Sequence, residues 1–446
     1  MHHLAYVFER FPTFTQTFCV REVLELERQG LRPLIFSIRD TRSETPRHFP
    51  EELYQRVHFL PPENDLIDFI KTEKDANRLP QEIVLSLRHW GERSDKLRVY
   101  EAAYIGQKMR AAGVRHAHSH FAGVGARVGW WLKYAFDFTY SFTGHANDIF
   151  CEEPGLDLNL SRLMKEASLV VTVSDYAVRE LRQRFPAQSL KIHRVYNGLD
   201  VRRYPIAHPN FESPLIFSIG RLIEKKGFHD LISACAWLKK RGHHFCCEIA
   251  GDGPLESELR AQIAQLGLQD FVTLLGAQTE EQIIERLGQT TVFALACVTE
   301  KGGGKDNLPT VLMEAMAASV PCVATNVAGI PEMVENGITG FLVEEGRPEE
   351  FGAAIEQVLR GGMVWTHMSS EGFARASDLF SLWNTASRLM RLFLWHGLTR
   401  FDPALVIRQP ALVAPYLRQA CWRAVRLARF KRLRHRRAPD FVAANG

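Results

Sequence analysis

Apolar residues follow two alternating rhythms along this chain. Short runs rich in β-branched and aromatic residues, HLAYVFE, LRPLIFSIR, RHAHSHF, TYSFTGH, SLVVTVS and KIHRVYNG, read as strands. Helical patterns separate them. The first, FTQTFCVREVLELERQ, is amphipathic and closes on Gly30, a residue type favoured just past a helix end. A polar stretch holding Pro205, Pro209 and Pro214, YPIAHPNFESP, then interrupts the alternation. The rhythm restarts with LIFSIG, FCCEIAG, FVTLLG, TVFALAC, PCVATN and GFLV, separated by helical stretches such as FHDLISACAWLKKRG and LESELRAQIAQLG. Strands alternating with helices predict parallel sheets covered on both faces. The expected class is α/β, with two Rossmann-like doubly wound parallel-sheet domains at 1–205 and 213–385, joined by the Pro-rich linker. Residues 386–446 are expected to form a helical segment and a basic tail. Ligands of such sheets bind beyond the carboxyl ends of the strands, so the cleft between the domains is the expected site.

Composition narrows this only slightly. The chain has 446 residues, 46% hydrophobic and 24% charged, as an ordinary globular protein of two or three domains would. No apolar run approaches the ~18 residues of a membrane span; the most apolar stretch, GWWLKYAFDFTYSF, is broken by Lys133 and Asp137. Glu9 and Arg10 interrupt any leader-like pattern at the start. Eight cysteines without a Cys-x-x-Cys pair suit reduced thiols and a cytoplasmic location. Cys235, Cys246, Cys247, Cys297 and Cys322 fall in strand or helix patterns and are expected to pack as small apolar groups. The net charge of +4 is a property of the tail. Nine Lys or Arg and no acid lie between Arg418 and Arg437, and without them 46 basic residues face 51 acidic ones, or −5.

Three strand-to-helix junctions in the second domain carry the candidate chemistry. After LIFSIG come Arg221 and Lys226, a cationic pair at a strand's carboxyl end. Arginine grips phosphate oxygens bidentately and lysine adds a compact charge; the alternative is a solvated basic loop. After FCCEIAG, Asp252 lies between Gly251 and Gly253, which allow a tight turn and close backbone approach. The third junction is TEKGGGKDNLPTVLMEAMA, residues 299–317. Asn307 is expected to cap the following helix with Pro309 in its first turn. The amides around Asn307, Leu308, Thr310 and Val311 would then face an anion. Asp306 precedes this helix and Glu314 lies inside it among Met313, Ala315, Met316 and Ala317. Carboxylates there suit vicinal sugar hydroxyls; the alternative for Glu314 is a buried acid paired with an arginine.

Asp306 and Glu314 stand eight positions apart and Glu314-Ala315-Met316-Ala317 follows. That pattern resembles the retaining nucleotide-sugar glycosyltransferases of family four, which have the two-domain GT-B fold. The resemblance covers residues 1–385. GRLIEKKG, AGDGP, AGIPEMVENGITGFLV, SFTGHANDIF and VYNGLD are similar to that family's segments and occur in its order. The family's first acid is usually glutamate; here it is Asp306, with Glu300 as an alternative if the glycine loop is an insertion. RFPTFTQTFCVREVLELERQG and HAHSHFAG narrow the resemblance to a subgroup that includes colanic-acid-type exopolysaccharide transferases. Gln16 replaces that subgroup's glutamate.

The resemblance implies an NDP-sugar donor, UDP- or GDP-linked, no further cofactor, and a glycan or lipid-linked acceptor. Arg221, Lys226 and the helix amides would hold the diphosphate, and Glu314 the ribose. Asp306 and the Asn307 amide would place the sugar, and His145 would contact it from the first domain. Thr15, Gly251, Gly329 and Ile330 would lie near the donor. The sequence holds no Asp-x-Asp, in line with metal-independent chemistry. His116, His118 and His120 share one face of a strand and could bind zinc, but no fourth ligand of suitable spacing follows. The tail fits either a helix lying on anionic lipid at the inner membrane face or an unstructured basic extension. No aromatic platform accompanies its charge, so nucleic acid is not expected. Two rival readings are a hydrolysing sugar-nucleotide epimerase of the same fold and an inactive carbohydrate-binding scaffold.

Overall fold

The computed structural model describes residues 4–13, 16–44, 49–89, 96–150 and 158–399. Thr15 and the basic tail, with the rest of the segment from 400 on, lie outside the described residues. Two wholly parallel sheets form the frame. The first holds seven strands: β1 (Leu4–Arg10), β2 (Pro33–Arg39), β3 (Val57–Phe59), β4 (His116–His120), β5 (Thr139–Gly144), β6 (Leu169–Thr172) and β7 (Ile192–Arg194), in the order β3-β2-β1-β4-β5-β6-β7. The second holds six: β8 (Leu215–Ile219), β9 (Cys246–Ala250), β10 (Val272–Gly276), β11 (Val292–Leu295), β12 (Cys322–Thr325) and β13 (Gly340–Val343), in the order β10-β9-β8-β11-β12-β13. Each sheet reverses its strand order once, between β1 and β4 and between β8 and β11. A crevice opens at such a point because successive crossovers leave in opposite directions.

Twelve of these strands match the sequence reading. β3 escaped it because Val57–Phe59 is separated by one residue from the helix Glu51–Gln55 and stands in no longer strand-like run, unlike the equally short β7 within KIHRVYNG. The helix Thr17–Arg28 follows β1 as expected, and Gly30 closes it at φ +98°, with the Leu31 amide returning to the Leu26 carbonyl at 2.8 Å. Apolar layers cover both faces of each sheet, which is why β11, VFAL, is apolar throughout.

The Pro-rich stretch is docked along the second domain. Tyr204 and Ala207 are buried in that domain's core, and the amides of Ala207 and His208 bond the carbonyls of Ala318 and Gly288 at 2.9 Å each. The chain then crosses back. The helix Leu382–Trp395 buries Ala386, Leu389, Met390, Phe393 and Leu394 against the helix Thr17–Arg28 and the first sheet, with Phe393 beside His116 and His118 of β4. Both crossings run side by side: Leu199 bonds Phe380 and Leu382 through its amide and carbonyl, each at 2.9 Å. Among the described residues no helix is long and apolar enough to cross a membrane.

Gly227 ends the turn after β8 at φ +64°, and a Cβ there would run into the carbonyl oxygen of Ala296. Gly227→Ala should lower stability by about 2 kcal/mol or more, since it adds strain of ~1–3 kcal/mol to a backbone clash. A urea titration followed by circular dichroism checks this; an unchanged midpoint would show that the turn relaxes freely.

Candidate functional site

The carboxyl ends of β8 and β11, at the reversal in the second sheet, carry the first group. Lys226 ends a short turn after β8, and Asp306 lies in the loop after β11. Topology brings the lysine Nζ to 2.5 Å from Asp306 Oδ2, with both side chains largely buried. Burial works against both charges, but their mutual attraction prevails: Lys226 titrates above its ordinary range and Asp306 below it. Cys297 Sγ lies 3.7 Å from the same carboxylate oxygen. Arg221 stands exposed at the start of the same loop. Glu300 instead opens a tight turn, in which its carbonyl takes the Gly303 amide and its amide bonds the Gly304 carbonyl, both at 2.8 Å. Asp306 is therefore the acid of this loop that meets the lysine. Gly251, at φ +136° beyond β9, lets the backbone pass against the Gly220 carbonyl, where a Cβ would collide. The close approach foreseen for it is thus to protein backbone.

The helix after this loop begins later than expected. It spans Thr310–Ala317 with Pro309 at its N-cap and no side-chain cap. Asn307 lies two residues too early to cap it, and its groups are taken elsewhere. Its Oδ1 accepts the Ser174 hydroxyl at 2.5 Å and its carbonyl accepts the Gly329 amide at 3.0 Å. Its Nδ2 is buried without a protein partner, a donor left for a ligand or water. The Leu312 amide bonds the Pro309 carbonyl at 3.1 Å, so Thr310 and Val311 supply the outward amides of the first turn. Leu308 is a buried loop residue beside them.

Glu314 has the arginine that the alternative reading supposed, but from the other domain. Arg21, on the helix Thr17–Arg28, reaches Glu314 Oε1 at 3.7 Å and Glu280 Oε1 at 3.0 Å. Arg203 also bonds Glu280, at 2.9 Å. Burial raises the Glu314 carboxyl to about 7, Arg21 recovering only part of the cost and Glu280 adding to it. Nothing local in the sequence marks Arg21 as a partner.

Across the cleft, His145 follows β5 and is 8% exposed. Its amide donates to Asp148 Oδ1 at 2.9 Å, and its ring packs between Phe18 and Phe121. Phe121 turns at φ +68° after β4, a left-handed conformation of the kind found where backbone is bent to shape a site. The histidines of β4 are wholly buried. Ser141 Oγ lies 2.8 Å from His116 Nε2 and 2.7 Å from His118 Nδ1, and Thr143 Oγ1 lies 3.1 Å from His118 Nε2. Burial drives His116 down to about 3 and His118 well below the usual range. Glu22, His118 and His120 place one ligand-type atom each within 4.8 Å of one another, but the histidine nitrogens already have protein partners.

One residue that the sequence reading left without a role closes the seam. Glu332 accepts the amides of Asp175 and Tyr176, at 2.7 and 2.6 Å, and the Tyr196 hydroxyl at 3.1 Å. It thereby fills the N-terminus of the first-domain helix Asp175–Arg184, where Ser174 caps the next amide. Gly329 must be glycine because a Cβ would strike the Asn307 carbonyl and Ser174. Its only legible signal was the motif TNVAGIPE.

Known proteins resemble this chain. The family described as Glycosyltransferase Family 4 matches residues 16–203, and the one described as Glycosyl transferases group 1 matches 205–373. WcaL of Salmonella typhimurium, named for colanic acid biosynthesis, is 34% identical over 204 residues, 45% of this chain and 49% of that protein. The match thus spans about half the length of that relative. The amylovoran biosynthesis glycosyltransferase AmsK of Erwinia amylovora is 28% identical over 372 residues, 79% of this chain and 89% of its own. HepE of Anabaena, solved in complex with UDP, superposes with a TM-score of 0.67 at 18% identity, covering 89% of this chain and all of HepE; at that identity the likeness speaks for the fold alone. With two facing Rossmann-like sheets and both halves of the chain matched, the protein belongs to the family-four glycosyltransferases of GT-B fold, in the subgroup of colanic acid and amylovoran biosynthesis proteins.

Proposed function

We propose that the protein is a retaining, metal-independent glycosyltransferase that moves a sugar from a UDP- or GDP-sugar to a growing exopolysaccharide or other glycan, lipid-linked at the membrane face. The observation that carries this reading is the buried Lys226–Asp306 pair beside the first turn of Thr310–Ala317, at the reversal in the second sheet. A cation and unpaired amides there suit a diphosphate, and Asp306 is placed to pass from the lysine to a sugar hydroxyl when phosphate takes its place. Arg221 adds a bidentate grip. Glu314 accepts the ribose hydroxyls once Arg21 shares it. His145 meets the sugar from the first domain. The leaving phosphate takes the acceptor proton as the acceptor attacks on the same face, and domain closure keeps water out.

Relatives named for exopolysaccharide biosynthesis support the acceptor class, and HepE's bound UDP supports the donor class. The acid pair and the family membership make an inactive scaffold or a hydrolysing epimerase the weaker readings.

A thermal-shift screen of UDP- and GDP-sugars should pick out the donor by a raised melting temperature. With that donor and a lipid-linked glycan, nucleoside diphosphate release should require the acceptor; release without acceptor would favour the epimerase, and none under any condition would sink the enzyme reading. Glu314→Ala should cost roughly 10- to 100-fold in kcat/KM, the worth of hydrogen bonds to a charged group, and near-normal turnover would remove its assigned role. The ionised form of Glu314 is the better acceptor, and with its carboxyl near 7 that form is lost as pH falls. Donor affinity measured by calorimetry should therefore weaken from pH 8 to pH 6, and Glu314→Gln should flatten the profile.

A further inference from the structure

Glycosyl transfer as drawn above uses His145 but leaves idle the polar groups stacked behind it. His120, the last residue of β4, is 3% exposed and has both ring nitrogens engaged. Its Nδ1 lies 3.1 Å from His145 Nε2 and its Nε2 lies 3.0 Å from Glu22 Oε1. The Tyr6 hydroxyl donates to that same carboxylate oxygen at 2.6 Å. The two imidazoles stack with centroids 5.4 Å apart and planes 23° from parallel. This chain of contacts begins at the reversal in the first sheet: Tyr6 is on β1, Glu22 on the helix that follows it, and His120 on the neighbouring strand β4.

The proton count follows from these contacts. Glu22 as a carboxylate can only accept, so His120 carries its proton on Nε2. The two imidazoles then share one more hydrogen bond, whose proton belongs to either ring. The groups facing His120 are Tyr6 from β1, Cys19 and Glu22 from the helix Thr17–Arg28, His118 on its own strand, and His145 and Asp148 beyond β5. Burial opposes a charge on His120, but Cys19 and Glu22 outweigh it and hold the ring well above its ordinary range. Burial and the neighbouring His120 push His145 well below. His120 protonated on both nitrogens satisfies the carboxylate at 3.0 Å and the facing imidazole nitrogen at 3.1 Å from one ring, and His145 stays neutral.

We propose that Glu22 and His120 form a fixed relay behind His145, with His120 Nδ1–H donating to His145 Nε2. His145 is thereby locked as the Nδ1–H tautomer, able to meet a bound sugar only as a hydrogen-bond donor. Nothing is transferred along the relay. Glu22 and His120 are positioning residues, and His145 with Nε2 blocked is not a base for the acceptor. The proton must leave by another route, in accord with its capture by the leaving phosphate. The role in turnover rests on the glycosyltransfer reading; the tautomer does not.

The test separates the two. In the full chain labelled with ¹⁵N-histidine, long-range ¹H–¹⁵N spectra should show His145 bare at Nε2 and protonated at Nδ1, with His120 protonated at both nitrogens; His145→Asn assigns the ring. A wild-type His145 protonated at Nε2 overturns the proposal, whether or not any donor is turned over. Glu22→Gln should return His120 to neutrality and change the His145 tautomer, whereas Glu22→Asp should keep it. Kinetics with the donor found by thermal shift give the second arm. His120→Asn keeps an N–H near Nδ1, and His120→Gln keeps only the link near Nε2. His120→Gln should lose roughly 10- to 100-fold in kcat with donor KM little changed, and His120→Asn should retain most activity. Equal losses in two variants that melt alike would overturn the relay and leave His120 a packing residue.

Discussion

The functional geometry depends on a single carboxylate placed at the start of a helix in the other domain. Glu332 reaches from the second domain to the open amides of Asp175 and Tyr176, where the positive end of the helix Asp175–Arg184 would otherwise face the cleft. Ser174 accepts the next amide and donates its hydroxyl hydrogen bond to Asn307 Oδ1. One first-domain helix start is thereby tied to two second-domain loops, the one after β11 and the one after β12. The loops beyond the carboxyl ends of both sheets are thus held against one another at this seam.

The same economy recurs in the site. Each buried charge has a partner, because an isolated one would cost more than folding can supply. Lys226 and Asp306 hold each other ionised. Glu314 has only a distant arginine and a second acid nearby, so its carboxyl sits close to neutrality in charge preference. In the proposed donor site, Glu314 would exchange its weakly held Arg21 for ribose hydroxyls at little cost, whereas Asp306 would be released only as a phosphate took its place on Lys226. On the opposite face, the polar strand HAHSH survives full burial because Ser141, Thr143, Glu22 and His145 take up its imidazole nitrogens.

Much of the frame was legible in advance. Twelve of thirteen strands announced themselves by short apolar runs between helical patterns. The cap at Asn307 was misread because a polar residue before a helix looks the same whether its side chain turns to its own helix or to a neighbour; Pro309 began the helix and Ser174 took the asparagine. β3 was missed because its three residues follow closely on a helix and stand in no longer strand-like run.

By itself the sequence determined the alternation of elements, the glycines that permit close turns, and the chemical types gathered at each strand end. These are local properties, set by side-chain period and backbone freedom within a few residues. The tertiary structure alone decided which charges meet: Arg21 with Glu314, Lys226 with Asp306, Glu332 with the amides of Asp175 and Tyr176, and Glu22 with His120 and so with His145. The reason is physical. A hydrogen bond or ion pair acts over a few ångströms in space, and these partners are brought within that range by the strand order of two sheets and the seam between them, a relation that no local stretch of the chain records.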